Sequence, residues 1–412
     1  MRRSGEAERA LDSVNVLTRR MTLLLAVTCA VTSSNIYLAQ PMLALVAREL
    51  HVSDGAVGIV PTATQVGYAL GILLLVPLGD VRNRRGLILS MMAATTIALA
   101  AAALATSLAW LAVAGFAIGL LTPIPQLVLP LGVALAGGKR RGRVVGVLQA
   151  GLLVGLLASR AYAGALGQLL GWRDVYWCSV LMMIGVGLVL LRALPSAPAS
   201  ANAARYPALL GSLPTLLVSS RLVRGVCLSG LLIGLAFGAF WNTLSFVLQR
   251  DYGFGPAVVG LFGLVAAASA AASPMAGRLA DRFGGRIGQL ALVSTAIAGW
   301  LVLVLGPQWI GWFLIGTVLL DIGVWGNQVV NQAMLFSLDA THHSRLNTLY
   351  FFTRFLGIAA GSALGAQLWT AHGWGGVSLL GVIAATVALP IAALSAPRRA
   401  PRRIARSEPA HR

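Results

Sequence analysis

Three ionisable residues lie well inside long apolar stretches of this sequence: Asp321, Arg160 and Arg354. A charge near the centre of a lipid bilayer is costly, so such residues mark ion or substrate pathways. A carboxyl group held away from water can exchange a proton near neutral pH. The sharpest hypothesis is that Asp321 carries a coupling proton. A structural ion pair with Arg354 or Arg160 and a direct contact with substrate are the alternatives.

Amide and aromatic side chains in the same apolar stretches could line a binding cavity. Asn327, Gln328, Asn331 and Gln332 follow Asp321 on one helical stripe, which favours a cavity wall over contact with lipid. Aromatic and amide groups with few charges suit a neutral, moderately apolar substrate. The cavity candidates are Asn35, Tyr37, Gln40, Gln65, Tyr68, Gln126, Trp241, Asn242, Asn331 and Gln332.

These residues must be positioned by membrane helices. Of the 412 residues, 58% are hydrophobic and 10% charged, whereas soluble domains are about 45–50% apolar and about 25% charged. A spanning helix needs about 20 apolar residues, and the sequence contains twelve such stretches. They are residues 21–46, 55–78, 86–108, 110–136, 143–168, 174–194, 222–248, 256–276, 286–306, 309–336, 346–370 and 374–396.

The basic residues are distributed very unevenly between the two sides of these spans. With both termini on one side, that side holds 26 of the Lys and Arg residues and the other side holds three, Arg48, Arg173 and Arg250. Because Lys and Arg concentrate in cytoplasmic loops, we expect twelve spans with both termini in the cytoplasm. The net charge of +19 then reflects topology and attraction to anionic lipid, and nucleic-acid binding is not expected.

The two halves of the chain repeat one another. Asp80 and Asp281 each follow the second span of a half, and Gly171-Trp172 and Gly373-Trp374 each close a fifth span. We therefore expect a cytoplasmic N-terminal segment (1–20), a six-helix bundle (21–194), a cytoplasmic linker (195–221), a second six-helix bundle (222–396) and a basic cytoplasmic tail (397–412). Parallel halves of this kind place a substrate site at their interface near the bilayer midplane.

Several motifs resemble the major facilitator superfamily. GRLADRFGGR (277–286) is similar to the second-half copy of its loop motif, and PLGDVRNRRG (77–86) to the first-half copy. NIYLAQPML (35–43), PTATQVGYALGILLLVPLGD (61–80) and WRDVYW (172–177) resemble its arabinose-efflux-like, drug–proton antiporter branch. In the first copy, Val76, Val81 and Asn83 replace the usual Gly, Arg and Gly.

The resemblance implies a cytoplasmic gate in which loop aspartates contact neighbouring helices when the cytoplasmic side is closed. The corresponding residues are Asp80, Arg84, Arg85, Gly277, Asp281, Arg282, Gly284 and Arg286. For the arginines, a role in stopping and orienting the spans is an equal alternative. The membrane acids that many antiporters of this type carry in the first or fourth span are absent here, which leaves Asp321 as the best candidate for a proton carrier.

The resulting prediction is a monomeric, all-α, twelve-helix secondary transporter of the cytoplasmic (inner) membrane that exports small organic compounds in exchange for protons. Sugar or metabolite uptake by the same fold is the alternative. No P-loop, metal cluster or nucleophile signature favours an enzyme, and no cofactor or metal site is expected. Cys29, Cys178 and Cys227 have neither metal-ligand nor disulfide spacing. The expected partners are substrate, protons and membrane lipids.

Overall fold

The protein is described by a computed structural model that covers residues 18–136, 141–194, 206–270, 278, 282–338 and 342–395. Within these ranges it is almost entirely helical. Nine of the described helices are long and apolar enough to cross a membrane by their length and composition. Together with a broken first span, a short eighth one, and the division of the last helix into two, they give the expected set of twelve spans.

The N-terminal half contains six spans. Span 1 begins as a helix over Arg19–Ser34 and resumes, after a short 3-10 turn at Gln40–Met42, over Leu43–Glu49. Spans 2 to 6 are Asp54–Leu74, Arg84–Ala103, Leu108–Leu135, Arg141–Leu169 and Trp172–Ala193.

The C-terminal half repeats this arrangement. Spans 7 to 10 are Arg221–Tyr252, Pro256–Ala270, Gly285–Val304 and Ile310–Phe336. The helix over His343–Ser395 is interrupted at Gly373, where φ is 61°, and so provides spans 11 and 12. Gly171, at the equivalent point of the first half, also has a positive φ of 105°. Residues with a Cβ rarely adopt such angles. The turn between the fifth and sixth spans of each half therefore explains the glycine of each Gly-Trp pair.

Span 1 is interrupted where the sequence suggested one continuous helix. Residues 35–39 are not helical, and Pro41 lies two residues after them, in the 3-10 turn. A proline ring clashes with the carbonyl group four residues earlier, here that of Tyr37, and supplies no N–H group. The interruption places Asn35 and Tyr37 on irregular backbone within a span, an arrangement that membrane proteins tolerate where the backbone is buried in protein.

The predicted linker contains a helix of its own, Tyr206–Ser219. The Tyr206 hydroxyl donates to the carbonyl oxygen of Leu74 at the end of span 2 (2.8 Å). Arg345, at the start of span 11, donates to Ser212 Oγ (3.1 Å). The linker helix therefore contacts both halves.

Glycines bring several span pairs into direct backbone contact. A Cβ on Gly155 would collide with the Ala30 carbonyl group of span 1, and a Cβ on Gly361 with that of Leu231 in span 7. A Cβ on Gly164 of span 5 would collide with the carbonyl group of Pro256 in span 8, across the two halves. Small residues permit this close packing in membranes, and Gly155 and Gly164 of span 5 each serve such a contact.

Candidate functional site

The three intramembrane charges are buried, as expected. Asp321 is 0% exposed, Arg160 1% and Arg354 2%. Asp321 is the twelfth residue of the 27-residue span 10, which places it close to the middle of the helix. Among the described residues these are the only buried side chains of the charged types Asp, Glu, Lys and Arg.

Arg160 of span 5 lies between aromatic rings from opposite halves. Its guanidinium carbon is 4.2 Å from the centre of the Tyr37 ring and 4.0 Å from that of Trp241 in span 7. Its Nε donates to Gln40 Oε1 (2.9 Å). A desolvated cation–aromatic contact contributes about 2 kcal/mol, so these contacts hold the guanidinium plane in place. Three of the predicted site residues, Tyr37, Gln40 and Trp241, thus meet around Arg160.

Asp321 faces the residues around Arg160 but forms no hydrogen bond or salt bridge with the described residues. The cation that acts on its carboxylate is Arg160, and the indole of Trp241 approaches it outside hydrogen-bonding geometry. Neither carboxylate oxygen has a hydrogen-bond partner among the described residues. Within that part of the chain, Asp321 also forms no salt bridge with Arg160 or Arg354, so the direct ion pair considered as an alternative is not formed in this conformation.

Arg354 reaches the cluster through aromatic residues. Its guanidinium carbon lies 5.8 Å from the centre of the Trp325 ring. Trp325 meets Phe237 at 6.0 Å, and Phe237 meets Trp241 at 6.2 Å between ring centres. Sequence reasoning missed Trp325 and Phe237, although each lies four residues from a predicted site residue on the same helical face, Trp325 from Asp321 and Phe237 from Trp241.

The amide stripe of span 10 divides into two sets. Asn331 accepts from Gln289 Nε2 of span 9 (2.9 Å) and donates to Asn327 Oδ1 (2.8 Å). These amides are fully buried inside the C-terminal half. Gln332 is partly exposed and donates to Asn347 of span 11 (2.9 Å). The contacts of Asn331 therefore favour a structural role over the cavity wall suggested by the sequence.

Two of the other cavity candidates, Tyr68 and Asn242, lie where the halves meet. Tyr68 of span 2 packs against Phe355 of span 11, with 4.4 Å between ring centres. Asn242 donates to the carbonyl oxygen of Ser362 (2.7 Å). Asn35 and Gln65 are buried, and neither side-chain amide has a hydrogen-bond partner among the described residues. Gln126 is partly exposed.

The halves also meet at the end of the molecule opposite the linker helix. Trp369 Nε1 of span 11 donates to Asp54 Oδ2 of span 2 (3.2 Å). Gln168 Oε1 of span 5 accepts from the Ala257 backbone N–H of span 8 (3.0 Å). These contacts join the halves at the end of the molecule opposite the linker helix.

The gate motif at the linker end is partly described. Gly277, Asp281 and the Asp80 side chain lie outside the described parts of the structure. Gly284, the residue before span 9, has a φ of 90°, which favours glycine. Its counterpart Asn83, the residue before span 3, has a φ of −61°, and its Oδ1 caps the helix by accepting from the Arg85 and Gly86 N–H groups. The replacement of Gly by Asn in the first copy is therefore compatible with its backbone.

Two arginines of this motif, Arg84 and Arg85, donate to backbone carbonyl groups of nearby helices. Arg84 Nε donates to the Gly79 carbonyl oxygen (2.9 Å), and Arg85 Nη2 to that of Leu191 at the end of span 6 (2.7 Å). Arg282 lies against the Phe283 ring at 5.1 Å. Arg286 is partly exposed, and its Nε has no partner among the described residues.

Comparisons with known proteins agree with this architecture. The chain is 34% identical over 374 residues to the uncharacterized transporter YgaY of Escherichia coli O157:H7, covering 90% of this chain and 94% of YgaY. It is 29% identical to a chloramphenicol resistance protein of Streptomyces lividans, covering 69% of this chain and 71% of that one.

The fold is also found among solved structures. The crystal structure of a bacterial homolog of the human lysosomal transporter Spinster superposes with a TM-score of 0.71 at 16% identity, covering 90% of this chain and 94% of that chain. The sequence profile of the Major Facilitator Superfamily matches this chain twice, over residues 23–225 and 226–411. With a duplicated six-helix unit and relatives that are transporters, the chain belongs to the Major Facilitator Superfamily and is a multi-pass membrane transporter.

Proposed function

We propose that this transporter is a proton-coupled efflux carrier of the cytoplasmic membrane, which exports small organic compounds in exchange for protons. The observation that carries the proposal is the state of Asp321. This carboxyl group is fully buried in the middle of span 10, and neither oxygen has a hydrogen-bond partner among the described residues. Buried acids of this kind in membrane spans commonly serve as proton relays.

The position of Arg160 suggests how proton binding and transport are coupled. Arg160 belongs to the N-terminal half, whereas Asp321 and Trp241 belong to the C-terminal half. A carboxyl group that moves toward and away from a cation changes its affinity for protons. If the halves rock against each other around this site, as parallel-repeat transporters do, Asp321 binds a proton on one side of the membrane and releases it on the other.

The direction of transport is proposed from a relative. The Streptomyces lividans protein is named for resistance to chloramphenicol, and resistance through a membrane transporter is consistent with export. By analogy, this chain would lower the internal concentration of a toxic or surplus compound. Uptake of a sugar or metabolite is the outcome that would replace this proposal.

We further propose that the loop aspartates Asp80 and Asp281 close the cytoplasmic side in the outward-facing state, and that both termini are cytoplasmic. The protein would act as a monomer, since each chain contains both halves of the site. In this arrangement the contacts of Asp54 with Trp369 and of Gln168 with Ala257 form the opposite, external gate.

Counterflow into proteoliposomes tests the proposal, with chloramphenicol as the first labelled compound and internal pH recorded. Proton-coupled efflux predicts exchange of substrate, movement of protons in the opposite direction, and greater tolerance of the substrate in cells that overproduce the protein. The Asp321→Asn variant should still perform counterflow, at a lower substrate affinity, and should lose its response to a pH gradient. Net uptake that supports growth on a nutrient would contradict the efflux assignment.

A further inference from the structure

The buried charges at the centre of the protein are unequal in number. Arg160 and Arg354 supply two positive charges, and Asp321 supplies one negative charge among the described residues. Water cannot screen these charges well, since all three side chains are withdrawn from solvent. The site is therefore net positive when Asp321 is ionised, and more so when it is protonated.

Arg160 presents one donor group that the protein leaves unused. Its Nε is bound by Gln40 Oε1 at 2.9 Å, and its Nη1 makes a long contact of 3.5 Å with the Leu156 carbonyl oxygen. Its Nη2 is buried and has no partner among the described residues. Because buried polar groups are nearly always hydrogen-bonded, this nitrogen is available to an acceptor on a ligand.

Asp321 presents the complementary acceptors. Both of its oxygens are buried and unpartnered within the described chain, and Arg160 is the cation that acts on them. The rings of Tyr37 and Trp241 lie on the guanidinium at 4.2 and 4.0 Å. A small molecule placed here would meet a cationic donor, an anionic acceptor and two aromatic surfaces.

We propose that the substrate is an uncharged compound bound between Arg160 and Asp321, and that the two buried arginines exclude organic cations. The compound offers a carbonyl, nitro or hydroxyl oxygen to Arg160 Nη2 and donates a hydroxyl or amide hydrogen to ionised Asp321. This inference rests on the proposed exchange of substrate for protons. It adds the charge class of the substrate and names Arg160 as the residue that selects it.

Exchange with protons decides between uncharged and anionic substrates. A neutral donor binds the Asp321 carboxylate through a charge-assisted hydrogen bond, which protonation weakens. Proton and uncharged substrate therefore compete for the site, as exchange requires. An anion would instead bind best when Asp321 is protonated, so it would move together with the proton. A cation would have to approach two arginines for one aspartate.

Binding to the purified protein in detergent tests this inference without any proton gradient. The uncharged probes are chloramphenicol, L-arabinose and isopropyl thiogalactoside, each of which has both donors and acceptors. Tetraphenylphosphonium is the cationic probe and salicylate the anionic one. Equilibrium dialysis should show that at least one uncharged probe binds, and that it binds more tightly than either charged probe.

Two variants identify Arg160 as the cause. Arg160→Gln should weaken binding of the uncharged probe roughly tenfold to a hundredfold, the range for a lost hydrogen bond to a charged group, and should increase binding of tetraphenylphosphonium. Arg160→Lys keeps the charge, so it should still exclude the cation. If the Gln variant does not fold, the Lys variant takes its place in the binding measurement. Arg173→Gln, which removes a partly exposed arginine that pairs with Glu49, should leave both probes unaffected.

The result that overturns the inference is tighter binding of tetraphenylphosphonium or salicylate to the unmodified protein. Failure of all uncharged probes to bind, or an Arg160→Gln variant with unchanged probe binding and cation exclusion, would overturn it as well. Proton-driven export of a cation that Asp321→Asn abolishes would contradict this inference alone and leave the proposed function standing.

Discussion

The guanidinium group of Arg160 lies 4.0 Å from the centre of the Trp241 ring, so a cation from one half of the transporter stacks on an indole from the other. This contact is buried at the level of Asp321. It therefore joins the halves at the point about which we expect them to move, and its geometry must change in every transport cycle.

The energy of this contact can be measured with a double-mutant cycle of Arg160→Lys and Trp241→Leu. Lysine lacks the planar guanidinium and leucine lacks the aromatic ring, so each single variant should lose most of the stacking. We expect a coupling energy of about 0.5–2 kcal/mol in substrate affinity. Arg173→Lys is the control, because Arg173 makes the same type of contact with the Trp172 ring at 4.1 Å from its centre. This variant should leave substrate affinity unchanged. Additive effects of the two site substitutions would argue against the contact.

The hydrogen bond between Trp369 and Asp54 lies at the end of the molecule opposite the linker helix. It should stabilise the conformation in which this end is closed. Trp369→Phe removes the N–H donor but preserves an aromatic ring against Phe246, which stacks on Trp369 at 6.2 Å. We expect a shift of about 0.5–1.5 kcal/mol toward the conformation open at this end. Distance measurements between spin labels on spans 2 and 11 would detect it. Asp54→Ala should give a similar shift and add nothing to Trp369→Phe.

Close packing of spans 5 and 8 should be required for closure of the same end. Valine at position 164 would collide with the Pro256 carbonyl group and Gly260, so Gly164→Val should hold the two spans apart. A thiol introduced by Ala366→Cys, at a buried position that packs on Gly58, should then react faster with a membrane-impermeant maleimide. The native cysteines are replaced by serine in this experiment.

Gly146→Val is the matched control. Gly146 lies in the same span, but a Cβ there has no neighbour within 4 Å, so maleimide labelling should remain at the level of the background protein. Equal labelling of the two valine variants would show that the Gly164 contact does not govern closure.

The buried amide chain of the C-terminal half should contribute to stability rather than to transport. Gln289→Leu removes the donor to Asn331 Oδ1, which is buried. An unsatisfied buried acceptor costs about 1–3 kcal/mol, so the melting temperature in detergent should fall while substrate affinity is retained. Gln328→Leu, at a partly exposed position of span 10, should have a smaller effect. Loss of affinity without loss of stability would instead assign Asn331 to the binding site.

Much of the architecture could be predicted because membrane residence imposes strong constraints on sequence. The length of the apolar stretches predicted the spans, and the repeated Gly-Trp pair predicted the duplication. In the structure both glycines of these pairs have positive φ values. The break in span 1 was missed because apolar composition continues through it. Pro41 was the available signal.

The buried charges of the candidate site could be predicted for a similar reason. A buried charge is conspicuous in an apolar sequence, so Asp321, Arg160 and Arg354 were found directly. Their partners depend on how helices from opposite halves pack, and spacing along one helix does not contain that information. Nothing in the spacing of span 10 distinguished Asn331, which bonds to Gln289, from Asp321, which faces the other half.

The central claim is that Asp321 couples substrate export to proton movement. It is tested most directly in inverted membrane vesicles, where respiration acidifies the lumen and a quenched acridine dye reports the pH gradient. Addition of a bound uncharged substrate should release protons and restore fluorescence with the unmodified protein. It should not do so with Asp321→Asn, whose amide oxygen still accepts a hydrogen bond and should support counterflow at higher substrate concentrations. Full recovery of fluorescence with the Asn variant would contradict the account.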